Sequence, residues 1–108
     1  MSSMGKAPIR VTAQVLQVMG ALMSNPRQEM SGADIAKATR MLSGTLYPVL
    51  LRLEEAGWLE SEWEKGDPRE LGRPRRRYYS VTGLGAKSAR AEFKNFVSAI
   101  GRPAWDIS

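Results

Sequence analysis

The chain has 108 residues, 43% hydrophobic and 25% charged, a balance that suits one soluble globular domain and leaves no room for a second core. With no cysteine and no histidine it has no disulfide, no thiol nucleophile, no Cys/His zinc site and no histidine general base, which removes most enzyme chemistry and any metal or cofactor site of that kind. The net charge of +5 favours a polyanionic partner.

The charge is unevenly spread. Residues 1–64 hold 6 basic and 7 acidic side chains, residues 65–78 hold 6 and 2, and residues 79–108 hold 4 and 2. The excess therefore sits in one short segment, which on its own is either a solvated loop or a nucleic-acid contact. No apolar run approaches the roughly 20 residues of a spanning helix, and residues 1–8 lack the apolar core of a secretory signal, so a cytoplasmic, nucleoid-associated location without membrane contact is expected.

In chain order, residues 1–10 are expected to be a flexible arm. Val11, Val15, Val18, Met19 and Leu22 then recur on one face of a first helix over 11–23, ended by Asn25-Pro26. Ser31 with Asp34 three positions on predicts the N-cap of a short second helix to about Thr39. A third helix starts with Ser43 as its N-cap; Leu46, Val49, Leu50 and Leu53 form its apolar stripe and Gly57 its left-handed exit. That stripe turns Gly44, Pro48, Leu51 and Glu55 outward and leaves Thr45, Tyr47 and Arg52 at the flanks. Pro48 costs a backbone bond to Gly44, which a small bend absorbs.

From Trp58 to Glu64, Leu59, Ser61 and Trp63 alternate with Glu60, Glu62 and Glu64, the period of a half-buried strand. A second strand runs from Arg76 to Val81, with Arg76, Tyr78 and Ser80 opposite the three glutamates on the outer face. Between them, Lys65 to Arg75 holds Gly66, Pro68, Gly72 and Pro74 and is expected to be a long hairpin loop without regular structure. Thr82 caps a last helix in which Ala86, Ala89, Phe93, Phe96 and Ile100 step as a two-heptad seam, with Val97 beside it. These residues are the candidate homodimer interface, and an amphipathic helix packed on its own domain is the competing interpretation.

Helix, helix, helix, strand, basic loop, strand, helix is the plan of a mainly α, winged helix-turn-helix domain over residues 11–81, followed by a dimerisation helix over 82–101 and a tail over 102–108. In that plan the third helix enters the major groove and the hairpin reaches the backbone or minor groove of double-stranded DNA. Ser43, Gly44, Thr45, Tyr47, Pro48, Leu51 and Arg52 are then the recognition-helix contacts, and Arg73, Arg75, Arg76 and Arg77 the wing contacts. Arg73 and Arg75 are expected at the wing tip, with Arg76 and Arg77 flanking the strand near phosphates or glutamates. Gly72-Arg73-Pro74 is similar to the core of a minor-groove AT-hook, although Leu71 stands where that core has an arginine.

Two runs, SGTLYPVLLRLEEAGWLE from Ser43 to Glu60 and GRPRRRYYSVTGLG from Gly72 to Gly85, strongly resemble the recognition helix, first wing strand and second wing strand of PadR-type transcriptional regulators. The resemblance extends over residues 11–97. It implies a dimeric DNA-binding repressor, often of detoxification, efflux or stress genes and often relieved by a small molecule. The chain departs from the family in having Ser31-Gly32-Ala33 where a Gly-Tyr step is usual, and in its minimal C-terminal region, which resembles the form with one dimerisation helix. Phe96 with Trp63 or Trp105 is the candidate pocket for a small aromatic effector. The alternative from another class is a winged-helix protein–protein adaptor without specific DNA binding.

Overall fold

The computed structural model describes residues 9–100. Its elements are α1 (Ala13–Ser24), β1 (Glu29–Ser31), α2 (Gly32–Thr39), α3 (Ser43–Glu55), β2 (Leu59–Trp63), α4 (Pro68–Leu71), β3 (Arg77–Val81) and α5 (Gly83–Ile100). The result is a mostly helical winged-helix domain with a small antiparallel sheet in the order β1-β3-β2.

Local chemistry sets the helix ends. Thr12 caps α1 by accepting from the Val15 N–H at 3.2 Å, so the helix starts two residues after the expected Val11. Ser31 caps α2 through the Asp34 N–H at 3.1 Å, as the sequence predicts. For α3 the cap is Leu42, not Ser43: Ser43 is already helical, the Leu42 carbonyl accepts from Thr45 and Leu46, and no side chain caps the end. Gly57 takes the expected left-handed conformation at φ 80°.

The core is one layer of side chains between the helices and the sheet. Met19 and Leu22 of α1, Ile35 of α2, and Leu46, Val49, Leu50 and Leu53 of α3 close on Trp58, Leu59 and Tyr79. Each such side chain, fully buried, contributes roughly 1.5–3 kcal/mol. Burial raises the Tyr79 phenol pKa, against the opposing pull of Arg77.

The hairpin register agrees with the outer-face assignment: Glu60 lies opposite Ser80 and Glu62 opposite Tyr78. Two further features differ from expectation. β1 was not foreseen; three residues give too short a pattern to read, and the strand exists because β3 offers a free edge on which Met30 lies opposite Tyr79. The loop between β2 and β3 is not structureless, because Asp67 accepts from the Arg69 N–H at 2.9 Å, Pro68 opens the helix and Gly72 closes it at φ 73°, giving the single turn α4. That sequence of N-cap, proline and closing glycine was legible.

The last helix is tied to the domain at its root. The Thr82 hydroxyl donates to the Gly57 carbonyl at 2.6 Å and accepts from the Gly85 N–H at 2.9 Å, capping α5 as expected. Gly85 is buried against the Trp58 backbone, where a Cβ would run into the Trp58 carbonyl, whereas Gly83 faces open space. Gly85→Ala is therefore expected to destabilise by about 1–3 kcal/mol or more in urea unfolding, by overpacking against backbone that cannot yield. Gly83→Ala should stay within about 1 kcal/mol of the parent in the same experiment.

Candidate nucleic-acid interface

Because Leu46, Val49, Leu50 and Leu53 are all buried, the rotation of α3 is fixed and its other faces are presented to solvent. Ser43, Gly44, Thr45, Tyr47, Pro48, Leu51 and Arg52 are all exposed, Tyr47 at 45% and Leu51 at 57%. Leu42, 80% exposed just ahead of the helix, belongs to the same surface and was missed, since an apolar residue in a turn carries no periodic signal. Tyr47 leans back over α2: its ring lies where a Cβ on Gly32 would fall, so the glycine of the unusual Ser31-Gly32-Ala33 step is what lets the ring sit there.

The four wing arginines from Arg73 to Arg77 divide into two kinds. Arg73 donates to both carboxylate oxygens of Glu64, at 2.7 and 2.9 Å, and Arg77 lies 3.5 Å from Glu54 with its guanidinium 5.1 Å from the centroid of the Trp63 ring. Arg75 and Arg76 are exposed and form no ion pair among the described residues. This corrects the expected placement of Arg73, whose guanidinium is drawn to the base of the wing by a carboxylate assigned only to the outer strand face. The same arginine is the one on which the AT-hook likeness rests. Arg77, expected near a glutamate, has one.

Tyr47 and the wing open onto one cleft of about 480 Å³, lined also by Ser31, Gly32, Trp63, Pro74, Tyr79 and Arg75 to Arg77. It brings the flank of α3, the start of α2 and the basic strand of the wing to a single surface. Another depression, of about 490 Å³, is lined by Glu54, Glu60 and Glu62 and is acidic. Glu54 also accepts from the Ser61 hydroxyl at 2.6 Å, tying α3 to the wing's first strand.

On α5 the seam does not hold together as one partner-facing stripe. Ala89 is fully buried and Phe93 packs against the core, so the chain's own domain consumes that half, which corrects Ala89 as an interface residue. Ala86 is half-buried, while Phe96 and Val97 are exposed at 43% and 61%. The Ile100 side chain and Trp105 lie outside the described residues. Trp63 lines two clefts beside the wing, and Phe96 is not among the residues that line either of them.

An exposed helix face beside a basic hairpin on this fold is the arrangement of a winged-helix transcriptional regulator. The model of the transcriptional regulator PadR-like family matches residues 21–91, and the chain belongs to that family. Among solved structures, a PadR family transcriptional regulator from Eggerthella lenta is 28% identical, with a TM-score of 0.61, over 81% of this chain and 77% of that one. Sco3205, a MarR family regulator from Streptomyces coelicolor solved in complex with DNA, is 21% identical with a TM-score of 0.71, over 89% of this chain and 56% of that one. The chain thus spans just over half the length of Sco3205. BpsR of Bordetella bronchiseptica, whose DNA binding is regulated by 6-hydroxynicotinic acid, is 19% identical with a TM-score of 0.65, over 96% of this chain and 76% of that one. No curated protein matches the sequence. Membership of this family makes the chain a regulator and not an enzyme. No helix among the described residues is long and apolar enough to cross a membrane.

The two donors to Glu64, first the Arg73 guanidinium and then the Arg76 backbone N–H at 3.1 Å, bring its pKa down from 4.5 to about 2. A depressed carboxylate contributes stability that is present above its ordinary pKa and lost only as pH falls through the lowered one. The Glu64 clasp is therefore expected to stay intact from pH 8 to pH 4. Carboxyl carbon NMR should find Glu64 titrating near 2. A midpoint in the ordinary carboxylate range would show that the clasp is open in solution.

Proposed function

We propose that the chain is a homodimeric repressor that binds an inverted-repeat operator in double-stranded DNA. In this proposal residues 11–81 read the DNA and the helix from residue 82 pairs the protomers. Each α3 enters a major groove, the two about one helical turn apart, and each wing lies along the neighbouring backbone and minor groove. The observation that carries it is the cleft shared by Tyr47 and Arg75 to Arg77, which joins the exposed α3 face to Arg75 and Arg76, two cations in no ion pair among the described residues. Thr45 is placed to hydrogen-bond a base or phosphate, Pro48 and Leu51 to meet thymine methyls, and Arg75 to enter a narrow A/T-rich groove.

Dimerisation rests on the far half of α5, where Phe96 and Val97 stand exposed beyond the part that packs on the domain. An effector of the flat aromatic class is the remaining part of the proposal, favoured by the regulation of BpsR by an aromatic acid. Its pocket would include Phe96 and be completed by a second copy of α5. An adaptor role has no use for two unpaired arginines beside an exposed recognition helix.

Fluorescence anisotropy against a duplex from the gene's own upstream region and a scrambled duplex, at two or more salt concentrations, tests the DNA proposal. A preference of roughly a hundredfold or more, with a steep loss on adding salt, is expected. Arg75→Ala should weaken binding to both duplexes and lower the salt slope by about 0.9 per protomer. Thr45→Ala should instead erode the preference by about 1–3 kcal/mol. Sedimentation equilibrium should show a dimer at micromolar concentration that Phe96→Ala weakens; a wild-type monomer would rule out the dimeric mechanism. Tryptophan fluorescence unmoved by a panel of aromatic acids would remove the effector.

A further inference from the structure

The Glu64–Arg73 pair sits where the wing leaves the sheet. Glu64 is the last residue of the β2 side to join the ladder, its N–H donating to the Arg76 carbonyl at 2.7 Å, and its Oε1 accepts from both the Arg73 Nη1 and the Arg76 N–H. The Arg73 Nη1 is held further by the Pro74 carbonyl at 3.2 Å. The Glu64 side chain is only 17% exposed and that of Arg73 35% exposed. On the far side α4 folds the loop back, with half-buried Leu71 lying over Gly66. The chain from 64 to 76 is thus closed at its neck by one carboxylate.

An ion pair at a surface like this adds little to stability, and a carboxylate beside a DNA-facing cleft repels phosphate. Its geometric effect is larger: a two-point guanidinium–carboxylate contact fixes the plane and direction of the arginine, and the third bond fixes the backbone of Arg76. Resting on the DNA-binding proposal, we infer that Glu64 is a specificity-determining residue: by clamping Arg73 at the wing neck it withholds one cation from the phosphate backbone and leaves Arg75 and Arg76 as the wing's DNA-facing pair. Arg73 is then a strut of the wing and not a DNA contact. Sequence-independent attraction is kept down because a neutral pair stands where a further free arginine would lie beside Arg75 and Arg76, and the bases keep a larger share of the discrimination.

The test uses the full chain, a duplex that the wild-type protein enriches from a random pool, and a scrambled duplex of equal length. Glu64→Gln turns the neutral pair into a free arginine. It should bind the scrambled duplex roughly three- to tenfold tighter at low salt and steepen the salt dependence by about 0.9 per protomer, while the ratio of enriched to scrambled affinity falls. The double variant Glu64→Gln/Arg73→Gln, which has the same net charge as the clamped pair, should keep scrambled binding and slope within about twofold of wild type, unlike Arg75→Ala, whereas Arg73→Gln alone, which leaves the Glu64 carboxylate unpaired, should weaken scrambled binding. Glu64→Gln with unchanged slope and scrambled affinity, or the double variant as damaging as Arg75→Ala, would overturn the inference. Should Glu64→Gln melt early, the double variant alone decides whether Arg73 is a strut or a DNA contact. A wild-type protein that enriches no sequence and binds neither duplex would overturn the DNA proposal and this inference with it, whereas normal wild-type binding with flat variants would overturn the inference alone.

Discussion

The rotation of α3 about its own axis is the constraint on which the rest depends. Four apolar side chains, Leu46, Val49, Leu50 and Leu53, are buried against α1, α2 and the sheet, and turning the helix by even one residue, about 100°, would move them into water at a cost of several kcal/mol. Everything that α3 presents to solvent follows from that stripe. Thr45, Tyr47, Pro48 and Leu51 are outside because their neighbours are inside, and Pro48 is tolerated because its ring and its missing hydrogen bond fall on the open side. The helix is held in place a second time by Glu54, which accepts from Ser61 on β2 and faces Arg77 on β3, so the recognition helix and the wing share a strut.

The second constraint is the junction at Trp58. Its side chain belongs to the core, while its carbonyl accepts from the Thr82 N–H at 3.0 Å and its backbone is approached so closely by Gly85 that no other residue fits. This junction joins the end of α3, the start of β2 and the root of α5. A displacement of α5 by a partner copy would therefore act on the wing's first strand through packed backbone and not through a flexible hinge, which is the kind of contact that transmits a shift.

Much of this was legible because it rests on period and on caps. The α3 stripe, the Ser31 and Thr82 caps, Gly57 and the strand faces follow from spacings of side chains along one segment, and the register of Glu60 and Glu62 against Ser80 and Tyr78 came with them. What was not legible depends on pairs remote in sequence. β1 exists only because β3 has an edge to offer. The last helix reads as one continuous seam from Ala86 to Ile100, yet Ala89 and Phe93 fall against the core while Phe96 and Val97 fall beyond it, a division set by where the globule ends and not by any change in the seam. Arg73 is the sharpest case: four arginines in five residues look alike in sequence, and only the fold shows that Glu64 and Glu54 each claim one.

That sorting changes what the wing's charge means. Residues 65–78 carry a net charge of +4, but a count treats every guanidinium as equally available to phosphate. Pairing Arg73 with Glu64 and Arg77 with Glu54 holds the two outer arginines of the run, so that Arg75 and Arg76 between them remain unpaired on the surface that meets Tyr47. The held arginines are not idle. Arg77 covers the Trp63 ring, keeping an aromatic that is 56% exposed from being an open apolar patch, and Arg73 closes the neck of the loop. A wing with Arg73 and Arg77 also free would attract any duplex more strongly. In the proposed complex the carboxylates would lower the electrostatic contribution common to all sequences and leave the contacts of α3 to distinguish among them.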